Sequence, residues 1–324
     1  MTDVSIREVI KGTILTFSKP FVRRLSKTLH PKRMGVAPIG GRSTAIKLSN
    51  SSVWLLASTP LTDETRQKID QLGPVKYIAV ADMEHTGFTT QYAEAYPEAK
   101  VYGPEGAAKK LGINVHEWTA DKDLNPMEYD DRVLKDEIKA EYFDGFINKD
   151  IAFLHVPSKT LIQADLLFNL PANEQVIQDS WYHFKPLYSK SKESATNFTS
   201  WFGTLKPDSV FHQRFVYNLA AVNKTPIRSM AHSVYKVDQW DFDRIIPWLF
   251  FPGVVFSFSL VSSHGDVIET GGKEAWRKAY KLYFDDTDDM FDGLNLYLSR
   301  RHQQREVSWD RSFQGTVDCS YKWL

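Results

Sequence analysis

The sequence predicts a layered α/β fold, a sandwich of mixed sheets with helices outside, and three observations carry that prediction. Strand and helix signals alternate at short spacing from 43 to 111, three strand-like runs follow one another between 138 and 164, and no repeat, low-complexity block or linker divides the chain. Alternating strands and helices are the pattern of a sheet covered by helices, and strands joined by short turns pair antiparallel.

The elements follow in order. Thr44 to Leu48 and Val53 to Ala57 read as a strand pair around the turn Asn50-Ser51-Ser52. Thr62 to Leu72 is an amphipathic helix with Thr62 or Asp63 as its cap and Ile69 and Leu72 on its buried side. Val75 to Val80 is a short apolar strand, Thr89 to Tyr96 a helix halted by Pro97, Lys100 to Tyr102 a further strand, and Pro104 to Leu111 a helix. Ile138 to Phe143, Ile151 to His155 and Thr160 to Ala164 are successive, mostly antiparallel strands. Lys224 to Val237 and Gly272 to Phe284 read as helices, the second with Trp276, Ala279, Tyr280 and Tyr283 on one side. The run from Ile245 to Val261 lacks charge, but Pro247, Pro252 and Gly253 interrupt it and Ser257 and Ser259 dilute it. A buried strand pair or apolar loop is expected there instead of a membrane span. The aspartates 285, 286, 288, 289 and 292 lack the spacing of a calcium loop and read as a solvated segment.

Composition narrows the function classes. The 324 residues suffice for a sizeable core, and 40 basic against 40 acidic side chains leave no surplus charge for a nucleic acid or an anionic membrane face. One cysteine, Cys319, excludes an intrachain disulfide framework and a cysteine-based zinc ribbon. The first thirty residues interleave charges with apolar positions and show no signal-peptide core, so a cytoplasmic location is expected. Gly271-Gly272-Lys273 is followed by Glu274 and is no phosphate loop. Glycine-rich dinucleotide fingerprints, serine nucleophile elbows and H-E-x-x-H are also missing.

What remains is three short stretches, each directly after a predicted strand, where side chains can converge on one rim of a sheet. They are Asp82-Met83-Glu84-His85, Asp165 in Gln163 to Phe168, and His264-Gly265-Asp266. Imidazole and carboxylate are ordinary ligands of zinc, iron and manganese, so these residues are candidate metal ligands. A strand-end Asp is also commonly a cap or turn residue. His155 closes an apolar strand and suits a core hydrogen-bonding role, and His30, His116, His183, His212, His232 and His302 are read as structural.

This order, an acidic-histidine cluster after an early strand, then an Asp before Leu-Leu-Phe, then a His-Gly late in the chain, resembles the metallo-β-lactamase superfamily. Within it the chain is similar to a fungal branch of β-lactamase-like proteins built on a domain of unknown function, with bacterial relatives. The stretches 40–44, 75–78, 95–100, 153–162, 164–173, 240–247 and 264–272 carry the likeness. The resemblance implies a four-layer αββα sandwich over 40–284, with an N-terminal extension 1–39, an apolar insertion 248–262 and a C-terminal tail 285–324. An uncharged insertion of that kind is what translation of a retained intron would produce.

The superfamily's H-x-H-x-D-H motif, laid on Val80 to His85, puts Val80 at its first His, Asp82 at its second and Glu84 at its Asp; His85 alone is retained. The next superfamily His has no counterpart among Asp144, Gly145 and Phe146, whereas Asp165 matches the bridging Asp and His264 the final His. The resemblance therefore implies one mononuclear zinc, iron or manganese site made by Glu84, His85, Asp165 and His264, with Asp82 as extra ligand or base. The expected activity is hydrolysis of a small organic substrate, with no nucleic-acid or membrane partner. The rivals are a non-catalytic binding protein whose degenerate site holds no metal, and an iron-dependent oxygenase.

Overall fold

The computed structural model describes residues 4–24, 36–119, 125–129, 131–170, 174, 205–219, 227–247 and 265–285. Residues Met1–Tyr280 form one compact unit and Lys281–Leu324 a second. In the second unit the described residues are a short helix, Lys281–Asp285, whose terminal residues pair as an ion pair.

Among the described residues, eleven strands of the first unit make two sheets. Sheet one runs in the spatial order β1 (Ser5–Ile10), β2 (Ile14–Arg24), β3 (Val36–Lys47), β4 (Val53–Leu56), β5 (Val75–Ala79), β6 (Lys100–Pro104) and β7 (His116–Trp118). Residues 5–24, assigned to an N-terminal extension by the sequence, supply its first two strands. Neighbours from β1 to β4 are antiparallel and those from β4 to β7 parallel. A parallel neighbour needs a crossover, and the helices α1 (Asp63–Leu72), α2 (Thr89–Ala95) and α3 (Ala107–Leu111) provide one each. Thr62 caps α1, its side chain accepting the Thr65 amide at 3.2 Å, as its sequence signal predicts.

Sheet two has the order β11 (Arg244–Pro247), β10 (Thr160–Gln163), β9 (Asp150–His155) and β8 (Ile138–Phe143), antiparallel except for the parallel pair β10–β11. The short helix α4 (Arg132–Glu137) leads into β8. After β10 come α5 (Val210–Arg214), α6 (Ile227–Asp238) and, beyond β11, α7 (Gly272–Ala279). The expected helix 224–237 is observed from Ile227, residues 224–226 lying outside the described ones, and the expected helix 272–284 is α7 followed by the helix of the second unit.

Alternation along the strands sorts the core. Ile14, Ile46, Trp54, Leu56 and Tyr77 of sheet one meet Ile151, Phe153, Ile162 and Ile246 of sheet two between the sheets. Ala45, Val53, Leu55, Ile78 and Val80 face the other way and bury Ile69, Leu72 and Tyr92 of the outer helices. On the far side of sheet two, Trp276 of α7 packs edge-on against Phe143, and Lys236 and Ser233 of α6 both reach the buried Glu141 at 2.7 Å. Helices, sheet, sheet and helices make the four layers of an αββα sandwich. The C-terminal ends of β4, β5 and β10 and the N-terminal end of β9 share one rim, where polar residues replace the apolar alternation.

Candidate metal centre

The rim is built by backbone hydrogen bonds that stitch the two sheets together. The Ile151 amide donates to the Ala81 carbonyl and the Met83 amide to the Asn148 carbonyl, each at 2.8 Å. The loop after β5 is thereby fixed against the start of β9, and Asp82 and Asp150 come from opposite sheets into one neighbourhood. Asp82 also organises its own loop, because its Oδ1 accepts the amides of Glu84 at 2.7 Å and His85 at 2.8 Å. Its Oδ2 is hydrogen-bonded to His85 Nδ1, so the strand-end carboxylate acts as a turn residue and aims the imidazole at once.

Asp165 enters from the end of β10. Its backbone amide donates to Asp150 Oδ2 at 2.6 Å, and its Oδ2 accepts from Asn148 Nδ2. One donor atom from each of Asp82, His85 and Asp165 lies within 4.8 Å of the others, and all three residues are buried. Glu84, expected among the ligands, is half-buried beside this trio; its charge favours the His85 imidazolium, but its carboxylate is not part of the converging set. His264 and the insertion 248–262 lie outside the described residues, as does the tail after 285.

Burial and charge oppose each other here. Burial first, then the charges of Asp82 and Asp165, push the Asp150 carboxyl well above the ordinary aspartate value of 3.8. Burial also raises Asp82, against the lowering effect of His85. For His85 burial disfavours the charged ring, yet Asp82 and Asp165 together outweigh it and raise the pKa above 6.5. Three buried carboxyl groups thus surround one imidazole. Asp150 Oδ1 and Asn148 Oδ1 are additional buried acceptors with no donor. Buried acceptors without donors are costly and call for a proton or a cation. The residues present fit a divalent cation, because their ligating atoms converge, oxygen dominates among them and acceptors exceed donors.

Sequence reasoning missed Asp150 and Asn148. The available signal was the polar run Asn148-Lys149-Asp150 leading into the apolar residues of β9, with Lys149 at φ 56 marking a tight turn. In an antiparallel pair the start of one strand lies beside the end of the next, so a polar turn before β9 belongs on the same rim as Asp165. Two of the histidines read as structural are hydrogen-bonded within the fold. His155 Nδ1 is hydrogen-bonded to Ser158 Oγ at 2.7 Å, and His212 Nε2 accepts the Phe168 amide at 3.0 Å.

The layers and the buried Asp/His group define an αββα sandwich with a candidate metal centre at its rim. Residues 34–201 match the model of a family described as a domain of unknown function, DUF4336, and the chain belongs to that family. Among solved structures the chain is similar to the metallo-β-lactamase FIM-1 from Pseudomonas aeruginosa in its mono-zinc form, at 9% identity and TM-score 0.45, covering 88% of this chain and 96% of that one. VMB-1 matches at 11% identity and TM-score 0.48, covering 88% of this chain and 98% of that one. The flavodiiron core Flv1 from Synechocystis matches at 13% and 0.47, covering 88% of this chain and 62% of that one. No curated protein matches the chain. No helix among the described residues is long and apolar enough to cross a membrane.

Proposed function

We propose that this protein is a metal-dependent hydrolase of a small organic substrate, with a single divalent cation held at the rim by His85 and Asp165. The convergence of Asp82, His85 and Asp165 in a buried setting with surplus acceptors supports this reading. A divalent cation held there would polarise a substrate oxygen and lower the pKa of bound water toward neutrality. The chain's own residues prepare the site. Asp82 holds His85 Nδ1 and so fixes the ring orientation and raises its basicity, the part a carboxylate plays behind a metal-binding imidazole. Asn148 and Asp150 hold the side chain and the backbone of Asp165.

The test is elemental analysis of protein purified without chelator, with hydrolysis of ester, thioester, lactam and phosphodiester panels before and after chelation. About one zinc, manganese or iron per chain, lost in His85→Ala and Asp165→Ala together with hydrolysis, is the expected result. Metal content below a tenth of an equivalent sinks the proposal. It favours a second reading, a non-catalytic binding protein, for which the engagement of both Asp82 oxygens by their own loop is the supporting observation.

A further inference from the structure

We infer that Asn148 is a metal ligand of this site, its side-chain carbonyl oxygen joining the carboxylates and His85 in an oxygen-dominated shell suited to a hard divalent cation. The inference rests on the proposed function and adds to it a residue at a position where neither the superfamily motif nor the sequence places a ligand.

Three observations carry it. Asn148 is only 4% exposed, and its Oδ1 is a buried acceptor with no donor. An amide oxygen removed from water without a partner is a standing penalty, which a cation relieves and a neighbouring carboxylate does not. The other end of the same amide donates to Asp165 Oδ2, one of the converging ligands, so the unsatisfied oxygen belongs to a group already seated at the centre. The residue is also held by its backbone, since its carbonyl accepts the Met83 amide at 2.8 Å within the stitch that joins the sheets. The side chain is therefore placed by main-chain contacts that a substitution leaves in place.

The chemistry follows from the donors. Side-chain amide oxygen is a hard ligand common to calcium, magnesium and manganese sites, and the group contains one imidazole and no thiolate. Such a set favours manganese(II) more than an imidazole-rich or thiolate site does.

Chelator-stripped full-length protein is titrated with manganese chloride by calorimetry, and the melting temperature is followed with and without manganese. Wild type is expected to take one manganese per chain, Asn148→Ala to bind at least tenfold more weakly, and Asn148→Asp to bind as tightly as wild type or tighter. The aspartate variant separates the two roles of the residue, because it keeps the oxygen and loses the N–H to Asp165. If Asn148 only orients Asp165, both variants lose affinity alike and the inference is overturned. It is equally overturned if Asn148→Ala binds like wild type, an outcome that leaves the hydrolase proposal intact. If wild type takes up no manganese the inference falls, and if zinc and iron(II) titrated in the same way also fail to bind, the hydrolase proposal falls with it. Should the alanine variant fail to fold, the comparison of Asn148→Asp with wild type decides between oxygen ligand and N–H donor.

Discussion

Raising the pH of the metal-stripped protein should destabilise it through the rim carboxylates, and Asp150 is the residue that isolates the effect. Its folded pKa lies well above 3.8, first because of burial and then because of Asp82 and Asp165. A carboxyl of this kind keeps a proton in the native state that the unfolded chain has released. Its contribution is therefore complete below the unfolded pKa and is lost as pH climbs toward the folded one, a window that opens at about pH 4. Each such proton tilts stability by about 1.4 kcal/mol per pH unit within its window. Asp82, raised by burial against the pull of His85, acts in the same direction, and so does His85 above 6.5. His155 acts oppositely, because burial lowers its pKa and its contribution is lost as pH falls below 6.5. Asp150→Asn removes one titrating group and keeps an acceptor for the Asp165 amide, now 2.6 Å from Asp150 Oδ2. Urea unfolding of both proteins in chelator, between about pH 5 and pH 8, gives the difference in stability, in which the shared groups cancel to first order. That difference should move in favour of the variant by up to about 1.4 kcal/mol for each pH unit inside the window. A difference that does not change with pH refutes the reasoning. Saturating manganese should reverse the wild-type trend, because binding requires the carboxylates to be deprotonated.

Two further predictions concern the scaffold. Phe153→Ala empties the centre of the inter-sheet core, where the ring stands edge-on to Trp54 at 5.1 Å and to Trp118 at 5.9 Å; a loss of about 3–5 kcal/mol in urea melts is expected. Gly265 sits at φ 103, and an added Cβ would lie 1.6 Å from the Asn169 carbonyl oxygen, so Gly265→Ala should cost about 3 kcal/mol or more, read from the same melts. A loss under about 1 kcal/mol at either position would contradict the packing described.

Most strands and helices between Thr44 and Gln163 were legible because their signals are local: β-branched runs, the Thr62 cap, Pro97 after α2 and the Asn50 turn each act within a few residues; β7 and α4, three and six residues long, were too short to show a period. The first two strands were not legible, since Ser5–Ile10 carries charges at Arg7 and Glu8 and is only half-buried at its sheet edge. In the site, Asp82, His85 and Asp165 were found from their places after strands. Asn148 and Asp150 escaped because they stand at the start of a strand, one just before β9 and one as its first residue, and a residue there joins the rim only if that strand runs antiparallel to β10.

By itself the amino-acid sequence determined which segments extend, which coil, which face of each is apolar and which polar residues stand at strand ends, since all of these depend on short-range periodicity and capping. Tertiary structure decided which of those ends meet. The hydrogen bonds from Ile151 to Ala81 and from Met83 to Asn148 fasten two sheets at one rim, and only there do three carboxylates, an imidazole and an amide become a single electrostatic problem. Charge interactions act through space and strengthen where water is excluded, so the chemistry of this rim arises from folding and from no one segment of the chain.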